Sequence, residues 1–351
     1  MSGLGAAVLF GLSTPLAKLL LPSTGTFMLA GLLYLGAGIG LTVIAPLRRA
    51  GREAPLRRGD LPTLAAMVVA GGIAGPLLLL VGLARLPGGD ASLLLNLETP
   101  FTITIAVLFF GESLVRREVV GAAAVILGGV ILASGSGEGG MHLLGALAVA
   151  GSGLAWAIDN NLSQRLSLRD PVAVTRVKTL VAGAVNVGMA LAMGDRLPAA
   201  APLVGALATG FLGYGVSIVL HLLALRQIGT ARQAAYLATA PFVGALAAVP
   251  ILGERLTWKE VAAGLVMAVG VAILLRARHG HRHMHDAVEH DHAHVCDEHH
   301  HHTHAEGVPV EPHSHPHRHE PMVHDHAHHP DPHHRHRHGD RNGRQKMGKT
   351  P

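Results

Sequence analysis

The sequence predicts an all-α membrane protein: ten transmembrane helices as two inverted five-helix repeats, plus a disordered tail. Three observations predict it. The 351 residues have a mean hydropathy of +0.38, are 49% hydrophobic and only 15% charged, too apolar for an ordinary water-soluble domain. One unusual segment, Leu93–Glu112 (LLLNLETPFTITIAVLFFGE), returns about 141 residues later as Ala234–Glu254 (AAYLATAPFVGALAAVPILGE). From His279 onward the apolar runs stop, and the remaining residues hold 24 of the 26 histidines.

A helix that crosses a bilayer needs roughly 20 mostly apolar residues. Runs of that kind cover 3–21, 26–47, 61–83, 90–110, 117–134, 142–163, 172–193, 202–224, 232–252 and 259–276. Met1–Leu20 lacks a basic start and a small-residue cleavage site, so it reads as the first span and not as a signal peptide. Pro22, Pro87, Gly88, Pro171 and Pro198 punctuate the ends. With the N-terminus inside, the inner loops hold Arg48, Arg49, Arg52, Arg57, Arg58, Arg116, Arg117, Arg165, Arg169, Arg226 and Arg232, and the outer loops only Arg85, Arg196, Arg255 and Lys259. Eleven against four places both termini in the cytoplasm. The arginine-rich, Ala/Gly/Leu-rich composition fits a GC-rich bacterial genome, and the expected location is the bacterial plasma (inner) membrane.

Residues 1–278 carry 20 Lys+Arg against 12 Asp+Glu, and residues 279–351 carry 8 against 11. The pI of 9.8 therefore reflects loop charges that set topology, and gives no reason to expect nucleic acid. The single cysteine, Cys296, excludes an intrachain disulfide.

Two stretches align between the halves. In 82–101 against 223–242, Arg85 falls on Arg226, Gly88 on Gly229 and Pro100 on Pro241. In 111–132 against 253–274, Glu112 falls on Glu254, Glu118 on Glu260 and Gly128 on Gly270. Five spans per half is an odd number, so the second half enters the membrane upside down. Inverted repeats of this kind are a secondary-transporter architecture, with two near-equivalent packings around a central site.

The paired P-F…G-E-x-L segments, each followed by a Gly-rich helix that opens near a glutamate (Glu118, Glu260), resemble the EamA domain of the drug/metabolite transporter superfamily. LFGLSTPLAKLLL (9–21) resembles that family's first helix. The resemblance covers residues 1 to about 277. It implies two five-helix repeats, 1–137 and 138–278, and export or exchange of small solutes. AWAIDNNLSQ (155–164) departs from it, placing Asp159, Asn160 and Asn161 where small residues are more usual.

Polar groups inside a bilayer are costly, about 2.5–3.5 kcal/mol for a central charge on insertion scales, so each needs a reason. Glu98 sits near the middle of the fourth span. It either faces a central cavity, binding a cationic group or carrying a coupling proton, or it pairs structurally with a neighbour. Pro100 removes a helix hydrogen bond to the carbonyl of Asn96, which can then line the same cavity. Pro241 repeats this in the second half, where Thr239 replaces the carboxylate, so the site is expected to be asymmetric. Asp159, Asn160 and Asn161 cover too wide an arc for all of them to face lipid. Lys178 lies deep enough to partner Asp159. Lys18 reads as a snorkelling side chain, His221 as a packing histidine, and Glu112 and Glu254 as capping or ion-pairing groups beside Arg116, Arg117, Arg255 and Lys259.

The tail cannot bury a core, because it has no apolar run. Its histidines alternate with carboxylates on a flexible chain, which suits labile binding of Zn, Ni, Co or Cu. The expected ligands are His281, His283 and His285; His290, His292 and His294; His299, His300, His301, His302 and His304; and His313, His315, His317 and His319. No resident cofactor is required.

No P-loop, G-x-S-x-G, H-E-x-x-H or Gly-rich dinucleotide turn is present, so an enzyme is not expected. Three functions remain open: an exporter of a small solute with a metal-binding tail, a divalent transition-metal transporter loaded by that tail, and a membrane-tethered metal store. The expected partners are the lipid bilayer, a small-molecule substrate and divalent metal ions; a homodimer is compatible with the architecture.

Overall fold

The computed structural model describes residues 2–47, 53–110, 116–134, 139–167 and 169–276, and, in the tail, 279–285, 288–294, 313–319 and 322–328. Through residue 276 the regular elements are helical. α1 (Ser2–Thr24) and α2 (Thr26–Ile44) meet at Gly25, whose φ of 75° suits a residue without a Cβ. α3 (Leu61–Met67) and α4 (Gly75–Leu83) form one rod through a π-helical turn at Val68–Ala74. α5 (Gly88–Leu94) and α6 (Glu98–Phe110) join through a 3-10 turn at Leu95–Leu97. α7 (Arg116–Ala133), α8 (Gly139–Leu166) and α9 (Pro171–Ala192) follow. α10 (Ala200–Gly210) passes through a second π-helical turn, Phe211–Val216, into α11 (Ser217–Leu237). α12 (Ala240–Leu252) and α13 (Trp258–Leu275) end the bundle.

Among the described residues, eight helical segments are long and apolar enough to cross a membrane, against the ten expected. α7 begins with three charged residues, Arg116, Arg117 and Glu118, and α12 is only 13 residues long. The interruption expected between 224 and 232 does not occur: α11 continues to Leu237. Gly229 costs a helix only about 1 kcal/mol, and no proline intervenes until Pro241. Both prolines start helices. Pro241 lies in the first turn of α12 and Pro100 in the first turn of α6, where a missing N–H leaves no bond unmade. The chain breaks just before each.

The helices pack closely through small residues, as expected where lipid supplies no hydrophobic drive between them. α2 lies against α9 so tightly that a Cβ at Gly183 would come within 3.0 Å of the Gly31 carbonyl oxygen. Leu108, Phe109, Leu246 and Val269 point outward, as a lipid-facing surface requires. At one end the connections are tied across the halves, with Arg169 paired to Asp60 at 2.9 Å and the Asp170 N–H donating to the Ala54 carbonyl.

In the tail, four seven-residue strands pair antiparallel: β1 (His279–His285) with β4 (Met322–His328), and β2 (Val288–His294) with β3 (His313–His319). In six rungs histidine stands opposite histidine, among them His281–His326, His283–His324, His290–His317 and His292–His315. His299, His300, His301, His302, His304 and Cys296 lie outside the described residues, as does Glu112.

Candidate functional site

A cavity of about 120 Å³ opens beside the break between α5 and α6. That space holds several waters or a small solute. Glu98, the first residue of α6, and Asn96, in the 3-10 turn, reach it from one half; Pro241 and Ala238 bound it from the corresponding break before α12. Phe10 of α1, Leu95, Ile103 and Val271 give it apolar walls, and Asn160 and His221 add polar groups from α8 and α11.

Asn160 Nδ2 donates to Glu98 Oε1 at 2.5 Å, tying α8 to α6. Both side chains are half-buried, as groups on a cavity wall should be. Asn96 is 1% exposed; its Nδ2 donates to the Leu93 carbonyl at 3.2 Å, while its Oδ1 has no partner. Asn161 turns away from the cavity and donates to the Ala157 carbonyl at 2.8 Å and the Thr102 carbonyl at 3.4 Å. His221 Nδ1 lies 2.9 Å from Gln233 Nε2.

Asp159 and Lys178 do not line the cavity. They form a buried ion pair, Lys178 Nζ to Asp159 Oδ2, on the α9 side of α8. The pair sits against the first π-helical turn, where Tyr34 Oη and Trp156 Nε1 donate to the Gly71 carbonyl and Asn186 Nδ2 to the Gly72 carbonyl. Gly71 has no side chain because Asp159 occupies that space. The adjacent residues Asp159 and Asn160 therefore serve two sites, one a buried charge pair and the other the cavity wall.

Glu118, Gln164, Leu225 and Leu274 line the cavity toward the end of the bundle where α1 begins and α13 finishes. Toward the opposite end, side chains tie the two halves together. Glu254, between α12 and α13, accepts from Gly88 N at 2.7 Å and Gly89 N at 2.9 Å, capping α5 of the other half. Lys18 donates to the Leu83 and Leu86 carbonyls at 2.7 and 2.5 Å, so it is bound at a helix end and not free to snorkel. Lys259, expected beside Glu254, instead donates to the Leu132 carbonyl at 2.6 Å.

Phe10, Gln233 and the tie made by Glu254 did not emerge from the sequence. Gln233 carried a usable signal, a polar amide inside an apolar run. Among the described residues, no group of three or more His, Cys, Asp or Glu side chains could hold a metal ion.

Comparison with known proteins adds a family and named relatives. The model of the EamA-like transporter family matches residues 1–134 and again 143–276. An "Uncharacterized transporter" of Methanothermobacter thermautotrophicus is 33% identical over 290 residues, covering 77% of this chain and 83% of that one. The "Uncharacterized inner membrane transporter YedA" of Escherichia coli K12 is 28% identical, over 71% of this chain and 81% of its own length. A "Probable amino-acid metabolite efflux pump" of Salmonella typhimurium is 27% identical, over 54% and 67%.

Proposed function

Because the chain belongs to the EamA-like transporter family, we propose that it is a secondary-active exporter of a small solute, working by alternating access around Glu98, with a metal-binding cytoplasmic tail. It is a multi-pass plasma-membrane transporter, and its family is one of transporters, not enzymes. The observation that carries the mechanism is a cavity at the meeting of two helix breaks, apolar-walled and carrying Glu98, Asn96, Asn160 and His221.

Alternating access requires two related halves. Two family matches of equal length support this, as do two irregularities that recur at a fixed spacing. The π-helical turns begin at Val68 and Phe211 and the breaks at Leu95 and Ala238, each pair 143 residues apart. The repeats are 1–137 and 138–278. Strong local irregularities are kept in duplicate where both copies must flex alike. The arginines clustered in the loops support both termini, and hence the tail, lying in the cytoplasm. Asn96, Glu98, Asn160, Pro100 and Pro241 form or frame the solute site, and Asp159, Lys178 and Asn161 hold α8 against its neighbours.

For the tail, the support is its sequence, in which histidines alternate with carboxylates that also ligate metals. The ions expected are Zn, Ni, Co or Cu.

The test is counterflow in proteoliposomes for the full chain, a truncation after Arg278 and Glu98→Gln, with labelled amines, labelled amino acids, zinc, nickel and cobalt offered separately. Organic-solute flux that the truncation spares and Glu98→Gln lowers at least tenfold is the expected result. Metal flux that depends on the tail would replace this reading with the metal-transporter one. No flux of any of them would leave a membrane-tethered metal store.

A further inference from the structure

The polar groups of the cavity are unevenly spent. Its hydrogen-bond donors are mostly committed: Asn160 Nδ2 to Glu98, Asn96 Nδ2 to the Leu93 carbonyl, and the Thr102 hydroxyl to the Glu98 carbonyl at 2.9 Å. Its acceptors are mostly free. Asn96 Oδ1 is buried without a partner, and Glu98, an acceptor at both oxygens, has one of them bonded to Asn160. Because an amide nitrogen only donates, Gln233 Nε2 makes His221 Nδ1 the acceptor and puts the ring proton on Nε2. That Nε2 is buried and unpartnered, and His221 lines the cavity, so it is a neutral donor left facing a solute.

Charge points the same way. Glu98 lies in the wall, and among the described residues that line the cavity none is a lysine or arginine. Lys178, one helix face away, is bound to Asp159. A carboxylate or phosphate entering this space would meet no countercharge among the described residues, and burying an unpaired charge is costly. A buried acceptor left unmatched is likewise costly, and a solute that supplies donors relieves it.

On the reading that this cavity is the solute site, we infer that the exported solute is a primary amine on a compact apolar body. Its ammonium group donates to Glu98 and to Asn96 Oδ1. Its carbon skeleton packs on Phe10, Ile103 and Val271. His221 Nε2–H is available to a single neutral acceptor, such as a carbonyl or hydroxyl, on the far side.

The experiment measures binding by the full-length protein in lipid nanodiscs, using three probes of matched skeleton: isopentylamine, 3-methylbutan-1-ol and 3-methylbutanoate. Isopentylamine should bind at least tenfold more tightly than either of the others. Glu98→Gln should abolish that preference, and Glu98→Asp, which keeps the charge, should retain it. Asn96→Leu should weaken amine binding about tenfold with the thermal unfolding midpoint unchanged. Absence of amine binding, equal binding of 3-methylbutanoate, or an amine affinity within twofold of wild type in Glu98→Gln would each overturn the inference. Binding is read at equilibrium, so amine binding without counterflow would leave it standing and remove the transport reading alone.

Discussion

The ion pair between Lys178 and Asp159 gives a quantitative test of how α8 and α9 are held. Lys178 is 2% exposed and Asp159 is 6% exposed, so the small values typical of surface pairs do not apply. Both charges were taken out of water, and each depends on the other for compensation. Lys178→Met leaves a buried carboxylate facing the carbonyl-lined π-helical turn at Gly71, with Asp159 Oδ1 already unpartnered. Breaking such a pair from one side costs about 3–5 kcal/mol, and Asp159→Val should cost as much by stranding the ammonium. Replacing both together removes the charges along with their desolvation penalty. The double variant Asp159→Val/Lys178→Met is therefore expected within about 2 kcal/mol of wild type. The coupling energy is then at least about 3 kcal/mol, far above the additivity error for independent sites. Reversible unfolding of the full chain in mixed detergent micelles, monitored by tryptophan fluorescence, measures it. Single variants costing under about 1 kcal/mol, or a double variant equal to their sum, would refute the buried-pair argument.

Three further outcomes follow from the same geometry. Gly183→Leu should destabilise the bundle by about 1–3 kcal/mol or more in the same unfolding assay, because its Cβ is driven onto the Gly31 carbonyl and Leu35. Glu254→Gln weakens two charge-assisted bonds to Gly88 N and Gly89 N, each worth about 1.5–3 kcal/mol. In a Cys296→Ser background carrying Ser92→Cys, it should speed labelling by an impermeant maleimide from the end capped by Glu254 at least fivefold, and an unchanged rate would show that the cap does not limit access. Truncation after Arg278 should remove zinc binding measured by calorimetry while sparing the unfolding midpoint. In the full chain that binding should fade as pH falls below about 6.5, since a protonated imidazole cannot ligate.

What could be read in advance depended on whether a residue's chemistry acts through its own backbone or through a distant neighbour. Pro100 and Pro241 announced the two breaks, because proline is tolerated in the first turn of a helix and disfavoured further in. The ion pair was also within reach: Lys178 follows Asp159 by 19 residues across one short connection, and neither charge can remain alone in a bilayer. The tie between Asn160 and Glu98 was not, since choosing Asn160 over Asp159 or Asn161 requires the rotation of α8 about its axis. Glu254 was expected to cap or pair, and it caps, but which helix it caps could not be read from its neighbours. Arg255 and Lys259 are its sequence neighbours, but the N–H groups of Gly88 and Gly89 lie open at a helix start, and a carboxylate there satisfies two orphan donors at once. The π-helical turns left the faintest trace of all. VVAGGIA and FLGYGV share little besides glycine, because a widened turn is stabilised by what packs into it. At Gly71 that partner is Asp159, and at Gly213 it is Ser13, whose Cβ stands 2.5 Å from where a glycine Cβ would lie. In both places a polar residue from the opposite half fills the space, so the signature of each turn lies in the other repeat, and only the assembled bundle brings the two parts together.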